Sequence, residues 1–122
     1  LLPLTEVPIP GGGVKSGRIW GDAVNLGEPV QWMLRSKITT GFVEKAVEFI
    51  DSAQANGKPF YLNLWPDDVH GPFFPSVERW TDSPRARYLA VLEEMDGQLA
   101  GLFDRVRSDE DVRRLWLETI FI

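Results

Sequence analysis

Between Pro59 and Pro66 runs Phe60-Tyr61-Leu62-Asn63-Leu64-Trp65, a short and nearly continuous apolar stretch held between two residues that cannot extend a helix. Its length and composition suit a strand at 60–65 covered on both faces. Upstream, Val43, Ala46, Val47, Ile50 and Ala53 recur at helical spacing, with Thr39 or Thr40 available as N-cap and Asn56-Gly57 as the stop. The spacing predicts a helix over 40–56 leading into a buried strand, which is an α/β layer.

Beyond the strand, residues 66–82 contain three prolines, a glycine and several acids, and read as a loop leaving its C-terminal end. Open α/β sheets bind ligands at that edge. Asp82 or Ser83 can cap a second helix over 84–106, with Pro84 in its first position. Tyr88, Val91, Leu92, Met95, Leu99, Leu102, Phe103 and Val106 form its apolar stripe. The charges from Asp104 to Arg114 fit a solvated helix end, and Leu115 to Ile122 is apolar enough for a second buried strand. Residues 1–38 hold four of the nine prolines and six of the eleven glycines and are expected to be loop-rich. Within them Asn25-Leu26-Gly27-Glu28-Pro29-Val30 suits a small hairpin or exposed tip, and Gly11-Gly12-Gly13 a flexible connection. The expected organisation is therefore 1–38 as a loop-rich segment and 39–122 as part of an α/β domain. The first residue, Leu1, reads as a cut within a longer protein.

Composition removes several function classes. Thirteen Lys and Arg against eighteen Asp and Glu give a formal charge of -5, and no basic cluster is long enough to track a phosphate backbone, so nucleic acid is not an expected partner. The absence of cysteine excludes disulfides, thiolate metal sites and a cysteine nucleophile for this chain. No apolar run reaches the ~18 residues of a membrane span.

The residues with chemical capacity sit in Trp65-Pro66-Asp67-Asp68-Val69-His70-Gly71-Pro72-Phe73-Phe74-Pro75. His70, the single histidine, lies in a proline-stiffened loop at a strand end, where rigid scaffolds carry reactive groups. A surface histidine with a local hydrogen bond is the competing reading. Asp67 and Asp68 are candidates for a cation, for solvating the loop, or for orienting the imidazole. Trp65, Phe73 and Phe74 suit either the wall of a cleft or simple packing.

The order of these elements resembles the sulfatase family of the alkaline-phosphatase-like superfamily. Phe42 to Ile50, Lys58 to Leu64, His70 to Pro72, and Tyr88 to Phe103 with Met95-Asp96 match the family's helix, Lys-Pro-Phe-aromatic strand, histidine loop and following helix. The resemblance covers roughly residues 25–107, and Val69 before the histidine departs from the commoner Ala-Pro-His. It implies an internal piece of a sulfuric ester hydrolase, folded as part of a sulfatase sandwich with helix, strand, loop and helix around a mostly parallel sheet. In such a protein His70 contacts the sulfate ester at its leaving oxygen and Asp67 and Asp68 are loop neighbours. The substrate is a sulfate-ester small molecule or a sulfated glycan. The family's calcium and its formylglycine, made from the Cys or Ser of a Cys/Ser-x-Pro-x-Arg motif, are expected in the parent protein and not on this chain. Ser83-Pro84-Arg85 is no such motif, because its proline comes one position early. The resemblance also implies export to the periplasm or outside the cell, while nothing in the residues speaks to oligomeric state. Two alternatives remain open: a non-catalytic sulfatase-like binding module, and a phosphoryl or phosphonyl ester hydrolase of the same superfamily.

Overall fold

The computed structural model describes residues 1–27 and 29–108. The strand expected at Leu115 to Ile122 lies outside the described residues.

The chain opens with a hairpin. β1 (Leu2–Pro8) runs antiparallel to β2 (Val14–Arg18), with Leu4 opposite Arg18 and Pro8 opposite Val14. The connection turns on Gly11, Gly12 and Gly13, at φ 91, 98 and 91°, a region open to glycine and costly for residues with a Cβ. The amide of Ile9 donates to the Gly13 carbonyl at 3.2 Å and closes the turn. The triple glycine is thus the hairpin tip, not merely a connection. Asn25 and Leu26 form the end of a 3-10 helix at Gly21–Leu26, closed by Gly27 at φ 79°, and these three residues are exposed as a tip and not paired as a hairpin. β3 (Trp32–Leu34) then returns parallel to β1, Leu2 lying opposite Trp32, which gives a three-stranded sheet in the order β2-β1-β3. The sheet is mixed where a mostly parallel one was expected. A hairpin needs only a tight turn, whereas each parallel pairing needs a crossover, and the described residues contain a single such return.

After a short 3-10 turn at Arg35–Lys37, helix α1 (Ile38–Ala55) begins slightly earlier than its sequence pattern suggested. Thr39 is not its cap: it is fully buried inside the first turn, and the residue at the N-cap position, Lys37, makes no capping bond with its side chain. Ile38, Gly41, Val43, Ala46 and Ile50 form the buried stripe. A Cβ on Gly41 would stand 2.6 Å from both the Leu1 Cδ1 and the Met33 Sδ, so glycine there lets the helix approach the sheet closely. The helix ends in a Schellman arrangement: Gly57 at φ 60° donates to the Gln54 carbonyl at 2.9 Å, and the Lys58 amide to that of Ala53 at 3.0 Å.

Helix α2 (Pro84–Ser108) follows the expected plan, with Ser83 as N-cap, its hydroxyl accepting the Ala86 amide at 3.3 Å, and Pro84 in the first turn. Ala90 and Val91 are buried, whereas Tyr88, Leu92 and Phe103 of the expected apolar stripe stay exposed. Polar side chains register the two helices. Gln98 accepts both the amide and the hydroxyl of Thr40 at 2.8 Å and donates to the Ser36 carbonyl at 2.8 Å. Arg105 pairs with Asp51 at 2.6 Å.

Residues 60–65 belong to no strand. Phe60, Leu62 and Leu64 are half-buried, Phe60 meeting Phe49 of α1 edge to face at 5.8 Å, while Tyr61 and Trp65 are 78% and 77% exposed. The alternation has the period of a strand, but one face is covered and not two. A helix closes its hydrogen bonds within its own segment, whereas a strand is completed only by neighbours, and this segment pairs with none of the three strands described.

Candidate functional site

The loop after Trp65 is short of regular structure yet tightly held. Its first anchor is Arg35, from the turn between β3 and α1, only 5% exposed. Its Nη1 donates to the Asp67 carboxylate at 2.5 Å, and its Nη2 to the Asp67 carbonyl and, at 3.4 Å, to the His70 carbonyl. The second anchor is Asp68, 3% exposed, whose carboxylate accepts the hydroxyl of buried Thr39. Between them the His70 amide donates to the Asp67 carbonyl at 3.3 Å and closes a turn.

The far side of the loop is fastened to α2. Phe73 packs edge to face on Tyr88 at 5.2 Å, Phe74 lies 6.1 Å from Trp80, and the Ser76 hydroxyl donates to Glu94 at 2.6 Å. Phe73 and Phe74 therefore pack, while Trp65 projects outward with its indole N–H on Asn63 at 2.5 Å.

His70 is exposed at the crest of this turn. Its Nδ1 lies 2.8 Å from the Gly71 carbonyl. A carbonyl can only accept, so Nδ1 carries the proton in the neutral ring. That leaves Nε2 as the free nitrogen, with no hydrogen-bond partner among the described residues. The histidine combines a local hydrogen bond with an outward, chemically available atom, so the two readings of it are not exclusive in geometry.

Asp67 and Asp68 do not converge on a common point. One is paired with a guanidinium and the other with a hydroxyl, and no group of three or more His, Cys, Asp or Glu among the described residues is arranged to hold a metal ion. The arrangement does not fit calcium. Thr39 reads in sequence only as a possible helix cap, and nothing there points to Arg35, because no motif marks an arginine that will be buried 32 residues from its carboxylate.

Burial raises the Asp68 carboxyl above its ordinary value of 3.8, and this outweighs the Thr39 hydrogen bond and the Arg35 charge, which act the other way. A carboxyl raised on folding favours the native state most while protonated. Its contribution is full below about pH 3.8 and is lost as pH rises through the raised native value. Asp68→Asn, which keeps an acceptor for Thr39, is therefore expected to be more stable than the parent at neutral pH, with the difference shrinking towards acid. Urea unfolding midpoints at several pH values test this, and equal midpoints at pH 7 would contradict it.

The structure thus defines an α/β chain with an anchored loop that presents a histidine to solvent. The comparisons place it among known proteins. Over 71 residues it is 31% identical to arylsulfatase G of Rattus norvegicus, a match covering 58% of this chain and 14% of that protein. Over 82 residues it is 32% identical to arylsulfatase G of Canis lupus familiaris, covering 66% of this chain and 15% of the relative. The similarity to sulfatases read from the sequence is shown over that part of the chain, which spans about a seventh of the length of the relatives. No protein-family model matches the chain, and no solved structure matches it. No helix among the described residues is long and apolar enough to cross a membrane.

Proposed function

We propose that this chain is the histidine-bearing segment of a sulfuric ester hydrolase, and that its α/β layer is part of a sulfatase sandwich. The observation that carries the reading is His70: exposed, held at Nδ1 by the Gly71 carbonyl, and free at Nε2, in a chain similar to arylsulfatase G. A histidine so placed contacts a sulfate ester through Nε2. With Nε2 protonated it delivers that proton to the leaving alcohol oxygen as the sulfur–oxygen bond breaks. Asp67 and Asp68 act behind it, one on Arg35 and one on Thr39, and hold the loop.

The chain has no cysteine and no Ser-x-Pro-x-Arg sequence, so the nucleophile belongs to a segment outside it. The carboxylates described do not fit a calcium site. The substrate class is a sulfate-ester small molecule or a sulfated glycan.

The test uses the longer protein in which this chain occurs, assayed on an aryl sulfate and the matching aryl phosphate. Hydrolysis of the sulfate in clear preference to the phosphate is the expected result. Preference for the phosphate, or sulfate binding without turnover, would overturn the assignment, the first in favour of phosphoryl chemistry and the second in favour of a binding module.

A further inference from the structure

We infer that Arg35 is the positioning residue for His70, setting the direction in which Nε2 faces; the inference rests on the proposed function in treating that atom as the one that meets substrate. Arg35 stands 35 positions before His70 and is buried against the sheet end, yet its guanidinium reaches three acceptors in the loop: the Asp67 carboxylate, the Asp67 carbonyl and the His70 carbonyl. Those two carbonyls mark the start and end of the turn that the His70 amide closes. Nη2 meets both carbonyls while Nη1 takes the Asp67 carboxylate, so the planar fork holds the two ends of the turn and the carboxylate together, a spread that a single ammonium group does not offer. Thr39, four residues later on the first turn of α1, holds Asp68 between them. The segment 35–39 therefore grips residues 67, 68 and 70 of the loop, and the imidazole projects beyond the grip.

The arrangement has a direct consequence for the ring. The Nδ1 contact to the Gly71 carbonyl depends on the backbone at His70 and Gly71, and Arg35 holds the preceding His70–Gly71 peptide unit through the His70 carbonyl. Releasing the carbonyl frees the ring to exchange tautomers. The Asp67 carboxylate is 49% exposed, so this clamp serves geometry more than fold stability.

Because His70 is the sole histidine, imidazole nitrogen NMR of the 122-residue chain reads it without ambiguity. At a pH where the ring is neutral, the unaltered chain is expected to show the Nδ1-protonated tautomer in excess. Arg35→Lys and Arg35→Met are expected to move the ring towards a mixture, and to speed exchange of the His70 amide by at least about tenfold, the usual scale for losing a charge-assisted hydrogen bond. Exchange in α2 should be unaltered in Arg35→Lys, which retains the charge and guards against a variant that fails to fold. An unchanged tautomer and an unchanged His70 amide rate in a folded Arg35→Lys chain would overturn the inference. A released ring in Arg35→Lys, together with sulfate hydrolysis indifferent to loss of His70 in the longer protein, would instead overturn the proposed function and leave the clamp standing.

Discussion

In the sulfuric ester hydrolase proposed above as the parent of this chain, His70→Ala is expected to lower turnover of a sugar or alkyl sulfate by about 10²- to 10⁴-fold, the range for removing a positioned acid. His70 is exposed and the one hydrogen bond of its imidazole is to the adjacent residue, so the substitution removes little packing and the loss belongs to the chemical step. The size of the effect should follow the leaving group. A nitrophenolate departs as a stable anion and gains little from a proton, whereas an alkoxide gains a great deal. The variant should accordingly be hurt far less on nitrophenyl sulfate than on a glycan sulfate. Parallel kcat/KM measurements on the two substrates decide the matter. Equal losses would mean that His70 orients the sulfate group without donating a proton, and no loss on either would leave it as a surface histidine.

Ile38→Ala is expected to destabilise the chain by about 2–5 kcal/mol, the range for truncating a buried branched side chain. Ile38 is 2% exposed and opens α1 immediately after the 3-10 turn that carries Arg35. The apolar core is thin, consisting among the described residues of Ala23, Val43, Ala46, Ile50, Ala90 and Val91 besides Ile38 itself, so little is available to collapse into the space. A stability of order 5–15 kcal/mol is usual for a domain, and the loss would be a large share of it. Urea denaturation should show a lower midpoint with the slope unchanged. A loss under about 1 kcal/mol would mean that the helix start relaxes to refill the site.

The helices were legible in the sequence because their signals are local. Ser83-Pro84 at one end and Asn56-Gly57 at the other state a start and a stop in consecutive residues. The loop with His70 was legible for a similar reason, since prolines at 66, 72 and 75 allow little else. The strand expected at 60–65 rests on a nearly continuous apolar run, which says nothing of pairing; pairing depends on what lies alongside, and here no described strand does. The clamp was not legible. Arg35 follows Trp32-Met33-Leu34 as any polar residue might, and only the fold brings it under Asp67. For the same reason Thr39 passed as a helix cap when it is in fact the partner of a buried acid.

The glycine tip of the hairpin sets a rule for altering this protein. A side chain at Gly11 or Gly12 would meet no atom within 4 Å, but φ near +90° makes any L-residue strained there, so open space does not mean freedom to substitute. Lengthening is different in kind. Extra residues between Gly11 and Gly12 adopt their own angles, and the closure entropy of a loop grows only as the logarithm of its length, about 0.6 kcal/mol per doubling. β2 forms the sheet edge remote from β3, and β3 leads into Arg35, so the tip sits at the opposite edge of the sheet from the strand that positions the histidine loop. It is the place where a peptide tag or a second folded module can be spliced into the chain with least disturbance to that loop.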